Sequence, residues 1–328
     1  METTVFAEII PEPPAYHVDE VQTHFQGESY DLLVTIGGGS ALDVAKLLAV
    51  LVNAPFRVSD IVGPNKIPAP RIPLVAIPTT AGTGSEVTPN AIVTLTDEHL
   101  KVGIVSTHLL PSEVVLDPAL TVGMPPLVTA STGVDAFTHT LESVTSNKAN
   151  PLCNAVGYHS MRLIFPALPR AYNEPNDLKA RHDMLLGSTL GGMALAAAGN
   201  TAVHALSYPL GGTFGIPHGV ANAMLLVSVM EYNLDTLRHD FAEIAVMIGI
   251  GSRNLPVKER SDRFLESLKT LVRNVGIPVD LTQYGVTEDD IDELTIAASK
   301  VTRLLENNRR KLDISDIRTI YRNAFRTD

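Results

Sequence analysis

Residues 35–46 read TIGGGSALDVAK. They close an apolar run, DLLVTI, that suits a buried strand, and they open SALDVAKLLAVLV, whose periodicity is that of a helix with Ser40 at its start. Three glycines between strand and helix permit a sharp reversal of the chain. They also let a ligand approach the free N–H groups and positive dipole end of the helix. The unit lacks the G-x-G-x-x-G spacing, so Gly37, Gly38 and Gly39 suit either a pyrophosphate or a plain tight turn.

The same pattern recurs downstream. The apolar run LVAI is followed by IPTTAGTGSEVTP, residues 77–89, where Thr79, Thr80, Thr83 and Ser85 share one glycine-containing loop. Ligands of open α/β sheets bind just outside the carboxyl ends of the strands, and two such loops on one sheet favour a dinucleotide. The alternative is that the hydroxyls only satisfy loop amides. Upstream, TTVFAEII (residues 3–10) is expected as a strand closed by PEPP, and HVDEVQTHFQ (17–26) as a short helix. Alternating strands and helices predict an α/β domain with a mostly parallel sheet over residues 1–124. After MPP at 124–126 the pattern turns to long helices with almost no strand candidates, which predicts an all-α domain over 125–328.

Composition narrows the function. A chain of 328 residues, 45% apolar and 19% charged, has room for two domains with real cores. The net charge of −11 and the lack of a basic run argue against nucleic-acid binding. The single cysteine, Cys153, excludes an internal disulfide and fits a reducing compartment. No segment approaches the about 20 apolar residues of a membrane span, and the N-terminus has no signal-peptide pattern, so a cytoplasmic protein is expected.

The helical half carries the second chemistry. In GVDAFTHTLES, residues 133–143, Asp135 and His139 stand at i and i+4 on one helical face among apolar neighbours. A carboxylate carried into such a wall needs a partner. His204 is expected to end the small-residue helix GSTLGGMALAAAGNTAV, and His218, after a Gly-Ile-Pro turn, to open the next. A lone apolar histidine is ordinarily a hydrogen-bonded core residue, but one divalent metal answers all four side chains together. One carboxylate and three neutral imidazoles suit Fe(II) or Zn(II) with positions left for a substrate oxygen.

These motifs, GGGSALDVAK, IPTTAGTGSEVT, DPALT, TGVDAFTHTLES and HALSYPLGG with PHGVANA, occur in an order and spacing that resembles the iron-containing (group III) alcohol dehydrogenases. That family includes lactaldehyde reductase and 1,3-propanediol dehydrogenase. The resemblance implies metal ligands at Asp135, His139, His204 and His218. It implies a pyrophosphate loop at Gly37 to Ser40 with Asp43 on the following helix, nucleotide contacts at Thr79, Thr80 and Thr83, and a lysine near the nicotinamide at Lys101. It further implies Fe2+ (or Zn2+), NAD or NADP, and hydride transfer to or from a small alcohol or aldehyde.

Two departures accompany the resemblance. Where many relatives carry a second histidine near the nicotinamide, this chain has Tyr208, the remaining candidate for a proton-relaying catalytic group. With a reference pKa of about 10 it is a poor base at neutral pH, and it is equally read as a pocket wall. The N-terminus is shorter than in relatives, so the first strands of the nucleotide domain are expected to be missing, leaving an unpaired sheet edge that a homodimer would bury. Two other readings stand beside the dehydrogenase: a dehydroquinate-synthase-like metal lyase, which the Asp-x-x-x-His pair and sparse basic residues argue against, and a metal-binding family member without turnover.

Overall fold

The structure, a computed structural model, describes residues 2–68, 71–96 and 100–325. It divides into two compact units: Met1–Thr80 with Ser85–Leu120, and Ala81–Gly84 with Thr121–Asp328. Four residues of the TTAGTGSE loop thus fold with the second unit.

The first unit is α/β. After α1 (Ala15–Phe25), β1 (Leu33–Gly37) leads through the glycines into α2 (Gly39–Leu51). The strands β2 (Gly63–Pro64), β3 (Leu74–Pro78), β4 (Asn90–Leu95), β5 (Leu100–Val105) and β6 (Glu113–Val114) follow. β1, β3 and β6 form a parallel sheet in that order, with Gly37 opposite Pro78. The rest of the expected sheet is a second three-stranded one, in which β2 pairs parallel to β5 while β4 and β5 form an antiparallel hairpin. Val18, Val21, Val44, Leu47, Leu51, Val93 and Ile104 make the core. Among the described residues β1 has a neighbour on one side only, and its Val34 and Ile36, with Leu32 just before it, are 55%, 62% and 49% exposed.

One expected strand is not formed. Residues 2–10 have no regular structure. Their apolar side chains act as anchors instead: Phe6 and Ile9 pack on the core, with the Phe6 ring tilted 5.2 Å from that of His24 and edge-on 6.1 Å from that of Phe25. The helical unit comprises α3 (Pro126–Thr145), α4 (Pro151–Asn173), α5 (Leu178–Ala198), α6 (Ala202–Phe214), α7 (His218–Met247), α8 (Val257–Asn274), α9 (Ile291–Ser299), α10 (Thr302–Leu305) and α11 (Ile314–Ala324). None of these helices is long and apolar enough to cross a membrane.

α3 is the central element, buried on every side from Gly133 to Thr145. Its hydroxyls are tolerated there because Thr138, Thr140, Ser143 and Thr145 each donate to a carbonyl one turn back. Close packing comes from glycine. A Cβ on Gly191 of α5 would fall 2.6 Å from Thr140 Oγ1, and one on Gly157 of α4 2.4 Å from Val144 Cγ1. His204 does not end the small-residue helix. Gly199, at φ 72°, stops that helix at Ala198, and α6 starts at Ala202 with His204 in its first turn.

The Ala81–Gly84 loop depends on the same economy of space. Gly84 has φ 60°, and a Cβ on it would lie 2.5 Å from Gly192 Cα on α5. Gly84→Ala is therefore expected to lower stability by at least the about 1–3 kcal/mol of an overpacked site, measured by equilibrium denaturation. A variant as stable as the wild type would mean that the loop is not held against α5.

Candidate metal centre and nucleotide loops

α3, α6 and α7 bring Asp135, His139, His204 and His218 together. One ligand atom from each lies within 4.8 Å of all the others. Asp135 Oδ1 is 3.7 Å from the Nε2 atoms of His139, His204 and His218 alike. Asp135, His139 and His204 are buried, while the His218 side chain is 30% exposed.

The tautomers are fixed from behind. His139 Nδ1 lies 3.3 Å from Gly82 O, and a carbonyl only accepts, so in the neutral ring this nitrogen carries the hydrogen and Nε2 the lone pair. His204 Nδ1 lies 2.5 Å from Glu142 Oε2, with the same consequence. Glu142 is fully buried one turn below His139, and its other oxygen accepts from Thr201 Oγ1 at 2.7 Å and Val203 N at 2.6 Å. Both histidines thus present unprotonated Nε2 atoms toward Asp135. That is the preparation a metal ligand requires, because the outer partner sets tautomer and ring orientation.

Charge follows the same logic. Burial pushes the Asp135 carboxyl up, but His139, His218, His204 and the Asn222 amide outweigh it and hold the group below the ordinary carboxylate range. Burial works likewise against Glu142 ionisation, and His204 and Thr201 outweigh it. Burial draws His139 down, toward the neutral form. The donor set is one carboxylate and three imidazoles, and the 3.7 Å spacings from Asp135 Oδ1 need only a few tenths of an ångström of contraction to reach the about 3.4 Å of tetrahedral ligands on bonds of about 2.1 Å. A divalent metal fits these residues.

Tyr208 stands on α6 beside the cluster, its ring centroid 6.4 Å from that of His204 and 6.0 Å from that of His218. Burial pushes its phenol up to about 12. Its phenol is neutral at any pH near 7.

All the proposed nucleotide residues but Thr83 fall into three groups. Gly37–Gly39 and Thr79–Thr80 come together at the carboxyl ends of β1 and β3: Thr79 N donates to Gly37 O at 2.9 Å, and a Cβ on Gly38 would lie 3.1 Å from Thr80 Cγ2. Gly38 is the N-cap of α2, and no side chain caps that helix start. Ser40 and Lys101 are instead joined to Glu12: Glu12 N donates to Ser40 Oγ at 3.0 Å, and Lys101 Nζ pairs with Glu12 Oε1 at 2.8 Å. Asp43 and Ser85 form a third group around Lys46, a residue that sequence reasoning missed. The Lys46 ammonium, 1% exposed, donates to Ser85 O and Oγ at 2.8 Å and to Thr88 Oγ1 at 3.3 Å. Ser85 Oγ donates to Asp43 Oδ1, and Ile92 N to Asp43 Oδ2 at 3.0 Å. Burial lowers the Lys46 pKa, with the Asp43 carboxylate opposing the shift. Thr83 folds with the helical unit.

Residues 1–118 match the family described as iron-containing alcohol dehydrogenase, and residues 129–325 match that family's C-terminal domain. The chain belongs to the iron-containing alcohol dehydrogenase family. It is 40% identical to long-chain-alcohol dehydrogenase 1 of Geobacillus thermodenitrificans, over 98% of this chain and 82% of that one. A crystal structure of 1,3-propanediol oxidoreductase superposes with a TM-score of 0.93 at 36% identity, covering 98% of this chain and 84% of the other. Sulfoacetaldehyde reductase from Bifidobacterium kashiwanohense in complex with NAD+ superposes with a TM-score of 0.90 at 32% identity, covering 99% and 84%.

Glu142 touches no ligand position itself and acts through His204. Glu142→Gln is expected to leave the helical content intact while weakening Zn(II) or Fe(II) binding by about 10–100-fold, read by competition with a chromophoric chelator. An unchanged affinity would show that the His204 tautomer does not depend on Glu142.

Proposed function

We propose that this family member is a metal-dependent NAD(P) alcohol dehydrogenase, working also as an aldehyde reductase, on a small alcohol or aldehyde. The observation that carries the reading is the convergence of Asp135, His139, His204 and His218 with two histidine tautomers fixed by Gly82 and Glu142. A solved relative that holds NAD+ supports the nucleotide half.

In this reading Asp135 and the three histidines would hold Fe2+, or Zn2+, whose chemistry there would be that of a Lewis acid toward the substrate oxygen. The glycine loop Gly37–Gly39, with Thr79 and Thr80, orients the pyrophosphate of NAD or NADP at the uncapped start of α2. Asp43 and Ser85 serve that loop by anchoring α2 through Lys46, and Ser40 and Lys101 complete the nucleotide side. Tyr208 forms a wall of the substrate pocket and keeps its proton throughout, so the proton of the alcohol leaves through water or the nicotinamide ribose hydroxyl. The reading takes the chain as a cytoplasmic homodimer. In support, Cys153 is a buried free thiol, and the β1 edge offers three exposed apolar side chains to a second copy.

The test is an anaerobic titration of the Fe(II)-loaded protein with NADH and with NADPH, followed by nicotinamide fluorescence and then by an aldehyde panel. Saturable binding of one cofactor and aldehyde reduction that a chelator abolishes are expected. Tyr208→Phe is expected to lose far less than the about 100-fold that removal of a general acid–base group causes, with metal content unchanged. A metal-loaded protein that binds neither nucleotide would refute the dehydrogenase reading.

A further inference from the structure

Asn222 stands one turn after His218 on α7 and is fully buried. Its Nδ2 lies 2.7 Å from Asp135 Oδ1, 3.1 Å from His204 Nε2 and 3.2 Å from His218 Nε2. One amide nitrogen therefore reaches three of the four donor atoms of the metal centre, although it has only two hydrogens to give. Its oxygen, Oδ1, has no hydrogen-bond partner among the described residues, so the side chain is held by its nitrogen alone.

The chemistry of His204 makes this contact consequential. Glu142 keeps the hydrogen on His204 Nδ1, which leaves a single in-plane lone pair on Nε2. The Asn222 N–H donates into that lone pair, and a metal bond needs the same one. The two are mutually exclusive. No such conflict arises at Asp135, whose oxygen can accept from Asn222 and also face an ion.

We infer that the Asn222 carboxamide competes with the metal at this centre. It ties His204 to Asp135 while no ion is bound, and it must release His204 Nε2 before the ion can bind, keeping its bond to Asp135. The donor atoms are thus held in place before the ion arrives, at the expense of some affinity. The inference rests on the metal reading proposed above. It differs from a role as a fifth ligand or as a mere packing residue in the sign of its effect.

Two measurements decide between these. Zn(II) affinity is determined by chelator competition for the wild type, Asn222→Ala and Asn222→Ser, together with thermal midpoints with and without Zn(II). Competition is expected to tighten binding in the variants by about fivefold, the scale of one neutral hydrogen bond, and to lower the metal-free midpoint more than the loaded one. Binding that weakens would make Asn222 a supporting ligand, and unchanged binding a packing residue; either overturns the inference. Should both variants fail to fold, the wild type answers by NMR. The Asn222 side-chain amide resonance is expected to shift during Zn(II) titration, and an amide unmoved through saturation overturns the inference. A wild type that binds no Zn(II) at all refutes the metal centre itself, whereas saturable wild-type binding with an untightened variant refutes only the role of Asn222.

Discussion

The helical unit is organised around one unfavourable group. Asp135 is 3% exposed, on a helix buried on every side from Gly133 to Thr145, and a carboxylate placed there unpaired would cost several kcal/mol. Everything near it answers that charge. His139 lies on the same helical face, His204 and His218 arrive from the first turns of α6 and α7, and Asn222 donates to the same oxygen. Glu142, equally buried, would be a second unsupported charge, but Thr201, Val203 and His204 all donate to it. Two buried carboxylates and three imidazoles thus form one connected polar network, of the kind that specifies a single arrangement only when every member is satisfied.

Much of this was legible in the chain. The i,i+4 pairing of Asp135 and His139 needs only the helical period, and the strand–glycine–helix pattern of TIGGGSALDVAK appears as β1 and α2. Glu142 and Asn222 were legible in principle and were missed. Glu142 stands three residues after His139 and seven after Asp135, and Asn222 four after His218, so both share a face with a ligand. The break before His204 was also written in the sequence, since Gly199 and Asn200 are a helix stop. Other features depend on partners far along the chain and leave no local mark. Lys46 meets Ser85 and Thr88, Glu12 meets Lys101, and Gly82 meets His139. TTVFAEII misled because its apolar residues suit a strand equally well as side-chain anchors, and Phe6 and Ile9 are used as the latter.

The α/β unit separates two tasks that the sequence presents as one. Parallel pairing of β1 and β3 sets Gly37 opposite Pro78, which puts the glycine turn beside Thr79 and Thr80 at one end of the sheet. Those residues form a backbone-lined surface at a helix start, suited to an anion. Asp43 and Ser85, a few residues further along each segment, turn inward to neutralise the buried Lys46 ammonium. A hydroxyl or carboxylate in a ligand-binding loop can therefore be framework rather than contact. The distinction rests on the three-dimensional position of one lysine.

The most direct test of the central claim, that a metal answers the Asp135 charge, is X-ray absorption at the zinc edge of protein loaded with Zn(II). One ion per chain is expected, bound by three imidazole nitrogens and one carboxylate oxygen at about 2.0–2.2 Å, with Asp135→Ala losing the oxygen and most of the affinity. Protein that retains no zinc, or whose zinc spectrum is unchanged by Asp135→Ala, would contradict the account.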